Sequence, residues 1–299
     1  MKVGSAVQTA PLAPTSAEVY PPVAGSGGQA RSRLVGASRN EGRGGRRARG
    51  DEMIAMVSDI HGNIEALDAV CADIAELGCE AIYCLGDVVG YGPDPKACLD
   101  RAMEFDFTIM GNHDHAVFME PGGFNTPAER AVFWTRRVLE TEPDEGLRQK
   151  RWEFLARMDV TRQENGILYV HGSPRYPMHE YLFPDESDMG PAKLMQVFDM
   201  IAVACFVGHT HLPGVFTEEL EFLTPTQLGH TYTLGGKAIV NIGSVGQPRD
   251  LDPRACYVTL HGREVQWHRV PYDVQQTMEK VFANDELDDF LGNRLADGR

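Results

Sequence analysis

Five short strings punctuate this chain at the ends of apolar runs, and they restrict its fold more than any other feature. Asp59-Ile60-His61 follows the run Met53–Val57, and Gly86-Asp87 follows Ala81–Leu85. Gly111-Asn112-His113-Asp114 follows Phe107–Met110, His171-Gly172 follows Ile167–Val170, and Gly208-His209-Thr210-His211 follows Cys205–Val207. Short apolar runs bounded by Gly, Asp and Asn read as buried strands. Five polar loops at the carboxyl ends of strands can meet only if those ends share one rim.

The segments between them read as helices and hairpins. Asn63–Leu77 carries Ile64, Leu67, Val70, Ile74 and Leu77 at helical spacing, and Gly78 stops it. Pro95–Phe105, Pro127–Leu139, Gly146–Met158 and Ala192–Met200 are further helices. Val160–Glu164 and Ile167–Val170 flank Asn165-Gly166, a hairpin signal. The polar, proline-bearing stretch Ser173–Pro191 breaks the pattern. Strands Gly214–Thr217, Thr231–Leu234, Ala238–Asn241, Ala255–Leu260 and Glu264–Val270 precede a helix, Val274–Phe282, and an acidic tail. Alternating β and α followed by β-rich chain predicts an α-β fold, a four-layer αββα sandwich of two mixed β-sheets flanked by helices.

Residues 1–50, rich in Gly, Pro, Ala, Ser and Arg, show no period and are expected to be a disordered basic arm ahead of one domain, 51–299. The arm holds eight basic and two acidic residues, a net of +6, which leaves −21 for the rest of a chain of net −15. An acidic body repels nucleic acid and anionic membrane, so nucleic-acid binding would fall to the Arg/Gly run 39–50. The bland alternative is a plain tail. No apolar run approaches the roughly 18 residues of a membrane span, and none near the start suits a secretory signal, so the expected address is cytoplasmic. The six cysteines (Cys71, Cys79, Cys84, Cys98, Cys205, Cys256) form no Cys-x-x-Cys pair and read as reduced core thiols.

The five strings carry the chemistry. Asp59 and His61, two apart at a strand end, can face one crevice, and Asp87 is the natural bridging carboxylate, its two oxygens serving two cations. Asn112 adds an amide oxygen, and His171, His209 and His211 add imidazoles. Mixed carboxylate, amide and imidazole donors suit Mn, Fe, Ni, Co or Zn and poorly suit calcium. Two such ions about 3.5–4 Å apart can hold a bridging water as hydroxide and clamp phosphate oxygens. Each string alone is weak: Gly-Asp is usually a turn, and a lone buried histidine is usually core.

Joined in this order, the strings resemble the signature of the calcineurin-like metallophosphoesterase superfamily, from Met53 to about Tyr257. The resemblance implies one metal on Asp59, His61, Asp87 and His211, and a second on Asp87, Asn112, His171 and His209. It also implies that His113 protonates the leaving oxygen; Asp114 would orient it or serve a turn. Phosphoprotein phosphatases of this fold carry an arginine where Tyr91 stands and an aspartate where Gly90 stands, which argues against that branch. Diadenosine tetraphosphatases share that arginine. The segment Asn241-Ile242-Gly243-Ser244-Val245-Gly246-Gln247-Pro248-Arg249 is instead similar to the YfcE-like bacterial phosphodiesterases.

A dinuclear phosphodiesterase acting on a small phosphate ester is therefore the expected function. The alternatives are a nucleotide or dinucleoside polyphosphate phosphohydrolase, or a non-catalytic scaffold of the same fold. Phosphate contacts are expected from Arg175, Arg249 and Asn63, each with a structural alternative: a solvated or ion-paired arginine, and for Asn63 a helix N-cap. Ser173–Pro191, with Tyr176, His179, Tyr181 and Phe183, could be a lid or pack a partner copy. His115, His179, His230, His261 and His268 lack ligand spacing, and nothing sets the oligomeric state.

Overall fold

The computed structural model describes residues 52–184 and 190–299. The basic arm expected over 1–50, and residues 185–189 of the loop read as a lid, lie outside the described residues.

The strands are β1 (Met53–Val57), β2 (Ala81–Cys84), β3 (Phe107–Thr108), β4 (Thr161–Glu164), β5 (Ile167–Val170), β6 (Ala204–Val207), β7 (Gly214–Thr217), β8 (Phe222–Leu223), β9 (Thr231–Thr233), β10 (Ala238–Asn241), β11 (Ala255–His261) and β12 (Glu264–Val270). They form two six-stranded mixed sheets, ordered β3-β2-β1-β11-β12-β9 and β4-β5-β6-β10-β7-β8. Parallel pairing joins β1 to β2, β2 to β3, β5 to β6 and β6 to β10; the other neighbours are antiparallel. The helices are α1 (Ile64–Leu77), α2 (Pro95–Ala102), α3 (Asn112–Ala116), α4 (Thr126–Glu140), α5 (Glu145–Ala156), α6 (Pro191–Asp199), α7 (Val274–Phe282) and α8 (Asp289–Asp297). The fold is the four-layer αββα sandwich.

Strand alternation builds three apolar layers. Along β1, Met56 points between the sheets, where it meets Phe206, Val240, Val258 and Trp267. Its neighbours Ala55 and Val57 point outward, onto the layer that holds Leu67 and Val70 of α1. In β6, Phe206 faces the other sheet while Cys205 and Val207 face Leu194 and Val197 of α6. Both faces of these strands are covered, which is why they read as unbroken apolar runs. The Trp267 indole crosses the central layer to donate to the Asn241 carbonyl at 3.0 Å. All six cysteines are free, as expected.

Local signals place the elements. Asn63 caps α1 by accepting from the Ala66 N–H at 3.1 Å. Asn165 and Gly166 take φ of 51° and 81°, the left-handed pair that a two-residue hairpin requires. Three expectations need correction. α2 ends at Ala102 and β3 at Thr108, each short of the spans read from sequence. The expected acidic tail is instead α8: Leu291 and Leu295 are buried, and Leu287 and Leu291 pack on Ala131, Trp134 and Val281. Asp288 caps the helix by accepting from the Phe290 N–H, and Asp289 stands in its first turn.

Candidate metal centre and the cavity beside it

All five strings converge on one rim. The loop after β1 is laced to the loop after β2 by Asp59 N–H to Gly86 O (3.0 Å), His61 N–H to Asp87 O (2.9 Å) and Gly62 N–H to Val88 O (2.9 Å). The loop after β10 joins through Val245 N–H to Ser58 O (3.0 Å) and Gly246 N–H to Asp59 O (2.9 Å). A Cβ on Gly246 would fall 1.8 Å from the Ile60 carbonyl oxygen, so only glycine permits that approach. Asp59, His61, Asp87, Tyr91, His209 and His211 all hold φ between 49° and 66°, in the left-handed region. Each costs of order 1 kcal/mol, so the surrounding structure must impose these corners.

The carboxylates divide their oxygens. Asp59 Oδ2 accepts from the His209 N–H at 3.1 Å, and Asp87 Oδ1 accepts from the His113 N–H at 2.8 Å. The other oxygens enter the cluster: Asp59 Oδ1 lies 3.1 Å from His211 Nε2, and Asp87 Oδ2 lies 3.2 Å from His171 Nε2 and 3.7 Å from His61 Nε2. The expectation that both oxygens of Asp87 serve cations is thus revised, because Oδ2 alone faces both sets of imidazoles.

The histidines are held with lone pairs inward. Nδ1 donates to a backbone carbonyl in His61 (Val89, 3.2 Å), His171 (Leu85, 2.8 Å) and His211 (Gln247, 2.6 Å), which leaves each Nε2 as the free acceptor. Yet His61 Nε2 and His211 Nε2 stand 3.2 Å apart, and His171 Nε2 is 3.1 Å from both Asn112 Oδ1 and His209 Nδ1. Asp59 Oδ1 is buried with no hydrogen-bond partner. Acceptors packed this closely repel unless positive charge sits among them, which a protonated His171 or a bound cation supplies. Three triads have ligand atoms within 4.8 Å of one another: Asp59, His61 and His211; His61, Asp87 and His113; Asp87, His171 and His209. The donor set fits divalent metal ions.

Protonation follows the same field. Burial works against a charged His171, but Asp87 beside it raises its pKa to about 9. Burial likewise opposes charge on Asp59 and Asp87, yet His211 holds the first and His171 the second well below the usual carboxylate range. Burial, then His113, pushes His61 well down; burial, then His171, does so for His209; burial, then Arg249, lowers His211. Burial also lowers His113, to about 4.

His113 and Asp114 do not touch as a pair. Asp114 accepts four backbone N–H groups, from Asp87 (2.7 Å), Gly111 (3.0 Å), Val88 (2.9 Å) and Val89 (3.2 Å). It shapes the Asp87 loop, so orienting His113 is corrected to the turn role. Burial, then the Asp87 charge, raises its pKa to about 7 against those donors. His113 stands against Tyr91 (4.4 Å between ring centres) and Phe124 (4.7 Å), and its Nδ1 is buried without a partner. A Cβ at Gly90 would sit 2.3 Å from that nitrogen, so glycine here makes room for the ring.

The expected phosphate contacts separate. Asn63 is buried and fully engaged: Oδ1 caps α1, and Nδ2 donates to Gly246 O (2.9 Å) and Tyr272 Oη (3.2 Å). Arg175 turns to Gln196 Oε1 (2.8 Å) and Glu180 (3.6 Å), away from the rim; its ion-paired alternative is the one realised. Arg249 does face the site. It lies over the Tyr91 ring and, with Tyr91, Asn112, His113 and His209, lines a cavity of about 640 Å³. Tyr181 of the expected lid stacks on His209 at 3.7 Å and lines the same cavity. Phe290 and Arg294 line it too, from α8 in place of the expected tail. The four-residue spacing of Leu287, Leu291 and Leu295 was the signal for that helix. Among the described residues no helix is long and apolar enough to cross a membrane.

Residues 53–264 match the calcineurin-like phosphoesterase superfamily domain. An uncharacterized protein of Methanocaldococcus jannaschii is 36% identical over 258 residues, covering 83% of this chain and 98% of that protein. A symmetrical bis(5'-nucleosyl)-tetraphosphatase of Acidovorax is 31% identical over 132 residues, 42% of this chain and 46% of that enzyme. The crystal structure of a metallophosphoesterase from Sphaerobacter thermophilus superposes with a TM-score of 0.70 at 31% identity, covering 83% of this chain and all of that one (100%).

Proposed function

The chain belongs to the calcineurin-like phosphoesterase superfamily, and we propose that it hydrolyses phosphodiesters with two divalent cations, manganese among those suited. Asp59, His61, Asp87 and His211 would hold one cation, and Asp87, Asn112, His171 and His209 the other. The observation that carries this assignment is Asp87 Oδ2, a single buried oxygen aimed at His61 and His171 together. When bound, the cations supply Lewis acidity toward phosphate and bring the pKa of water toward neutrality.

The chain's own groups divide the remaining work. Carbonyls of Val89, Leu85 and Gln247 fix the imidazole tautomers, so the ligand nitrogens need no reorganisation. Burial holds His113 uncharged in the free protein; an approaching phosphate anion would favour its imidazolium, which can give a proton to the leaving oxygen and return to neutral imidazole. Arg249, beside Tyr91, adds positive charge to the cavity that the substrate would enter. Preference for a diester rests on the Asn241–Arg249 segment and on Tyr91. A second function, hydrolysis of nucleotides or dinucleoside polyphosphates, draws support from the partial likeness to the Acidovorax enzyme and from the roomy cavity. Cytoplasmic residence is part of the same proposal, to be checked by cell fractionation.

The test is turnover of bis(p-nitrophenyl) phosphate with added manganese, with elemental analysis of the purified protein. Asp87→Ala and His113→Ala should each lower turnover by about a hundredfold or more, the range general acid catalysis spans. Wild-type rates in either variant, or failure to take up any transition metal, would overturn the proposal and leave the scaffold alternative.

A further inference from the structure

We infer that Arg249 and Arg294 form an anion subsite for a second phosphoryl group, so that the natural ester carries at least two. The inference rests on the phosphate-ester function above and adds the substrate's chemical class. Both arginines line the cavity that Asn112, His113 and His209 also line, so one ligand can reach the rim and the pair together.

Neither guanidinium has an acidic side chain as partner, where such side chains are plentiful. Arg101, Arg151, Arg254 and Arg269, among others, pair with carboxylates. Arg249 instead donates from Nε and Nη2 to Gln247 Oε1, at 3.3 and 2.8 Å. Arg294 gives Nε to the main-chain carboxylate of Arg299, the last residue of the sequence, and lies over the Phe290 ring at 5.2 Å. Among the described residues no aspartate or glutamate pairs with either. Burial, then Arg249, lowers the Arg294 pKa to about 10, so each charge disfavours the other. A dianion between them removes that penalty through charge-assisted, bidentate hydrogen bonds.

Position separates this pair from the grip on the reacting phosphate. Tyr91 intervenes: its ring stands 4.6 Å from His61 and 4.4 Å from His113, with Arg249 on it at 5.8 Å. A diester phosphate carries one negative charge, which the cation ligands' side of the cavity already addresses. Two further positive charges in about 640 Å³ leave room and charge for more phosphate. The pair is also held in place. Leu291 and Leu295 anchor α8, and the Leu251 N–H donates to the Gly298 carbonyl at 2.9 Å, tying the end of α8 to the loop that bears Arg249. Arg294 lies beyond the residues that match the superfamily domain.

The test is calorimetric binding of inorganic pyrophosphate and of orthophosphate to the full-length protein without added metal. Pyrophosphate should bind at least about tenfold tighter than orthophosphate, and Arg294→Gln should erase most of that preference. Arg294→Lys, which keeps the charge but not the fork, should fall between and serves if the glutamine variant does not fold. Equal binding of the two anions by the wild type, or a preference that survives Arg294→Gln, would overturn the inference. Binding as expected in a protein that hydrolyses no ester would sink the proposed function and leave the subsite standing.

Discussion

Two polar clusters of the molecule treat charge in opposite ways. Beneath α5, Arg151 forks onto Asp100 (2.9 and 2.7 Å) and reaches Glu142 (2.7 Å), which Lys96 also holds at 2.8 Å. Two cations meet two anions, and the set is closed. At the rim, carboxylate and imidazole acceptors face one another. Of six buried, unpartnered side-chain atoms among the described residues, four belong to Ser58, Asp59, His113 and His209. Closure marks a cluster that serves the fold, and incompleteness marks one built for a visitor.

The sharpest way to break this contrast is to remove charge from the open cluster. Asp87→Asn should abolish the rise in Tm on adding manganese, which for the wild type at a hundredfold excess over Kd amounts to about 2.7 kcal/mol of stabilisation. A thermal melt with and without metal checks it; an undiminished shift would mean that the ions bind elsewhere. Next in size is Asp114→Asn. It sets an amide against four backbone N–H groups and should cost about 2–4 kcal/mol in denaturant unfolding. Metal affinity should fall roughly tenfold or more through the displaced Asp87 loop.

In the closed cluster the expectation reverses. Arg151→Met leaves Glu142 and Asp100 facing each other, so Tm should drop by several degrees while turnover and the manganese response stay intact. Loss of metal response there would erase the distinction between the clusters. The smallest effect is a pH dependence. Lys96, then Arg151, lowers the Glu142 pKa from 4.5 to about 2. A depressed carboxylate contributes stability above its unfolded pKa and loses it as pH falls toward the folded one. The Tm gap between wild type and Glu142→Gln should be full at neutral pH, shrink below about 4.5 and close near 2.

The candidate ligands are legible because each occupies a contiguous string at a strand end, where local sequence dictates local position. Asp59, His61, Asp87, Asn112, His171, His209 and His211 all meet on the rim that this placement implies. What escaped depends on partners far along the chain. Asp87's division of its oxygens is set by the His113 N–H, 26 residues on. Arg175 stands four residues from His171, yet Glu180 and Gln196 draw it away. α3 spans five residues, too few to display a period. α8 was hidden by its acids, which masked the leucine spacing, and Arg294 went with it.

The left-handed corners at Asp59, His61, Asp87, Tyr91, His209 and His211 carry a lesson for anyone evolving this protein. Screens that reward heat tolerance alone will favour glycine at those six positions, since relief of backbone strain comes free of any demand for turnover. Such lineages would grow sturdier and inert together. Libraries for a hardier catalyst should hold the six corners constant and draw their diversity from the outer helical layers.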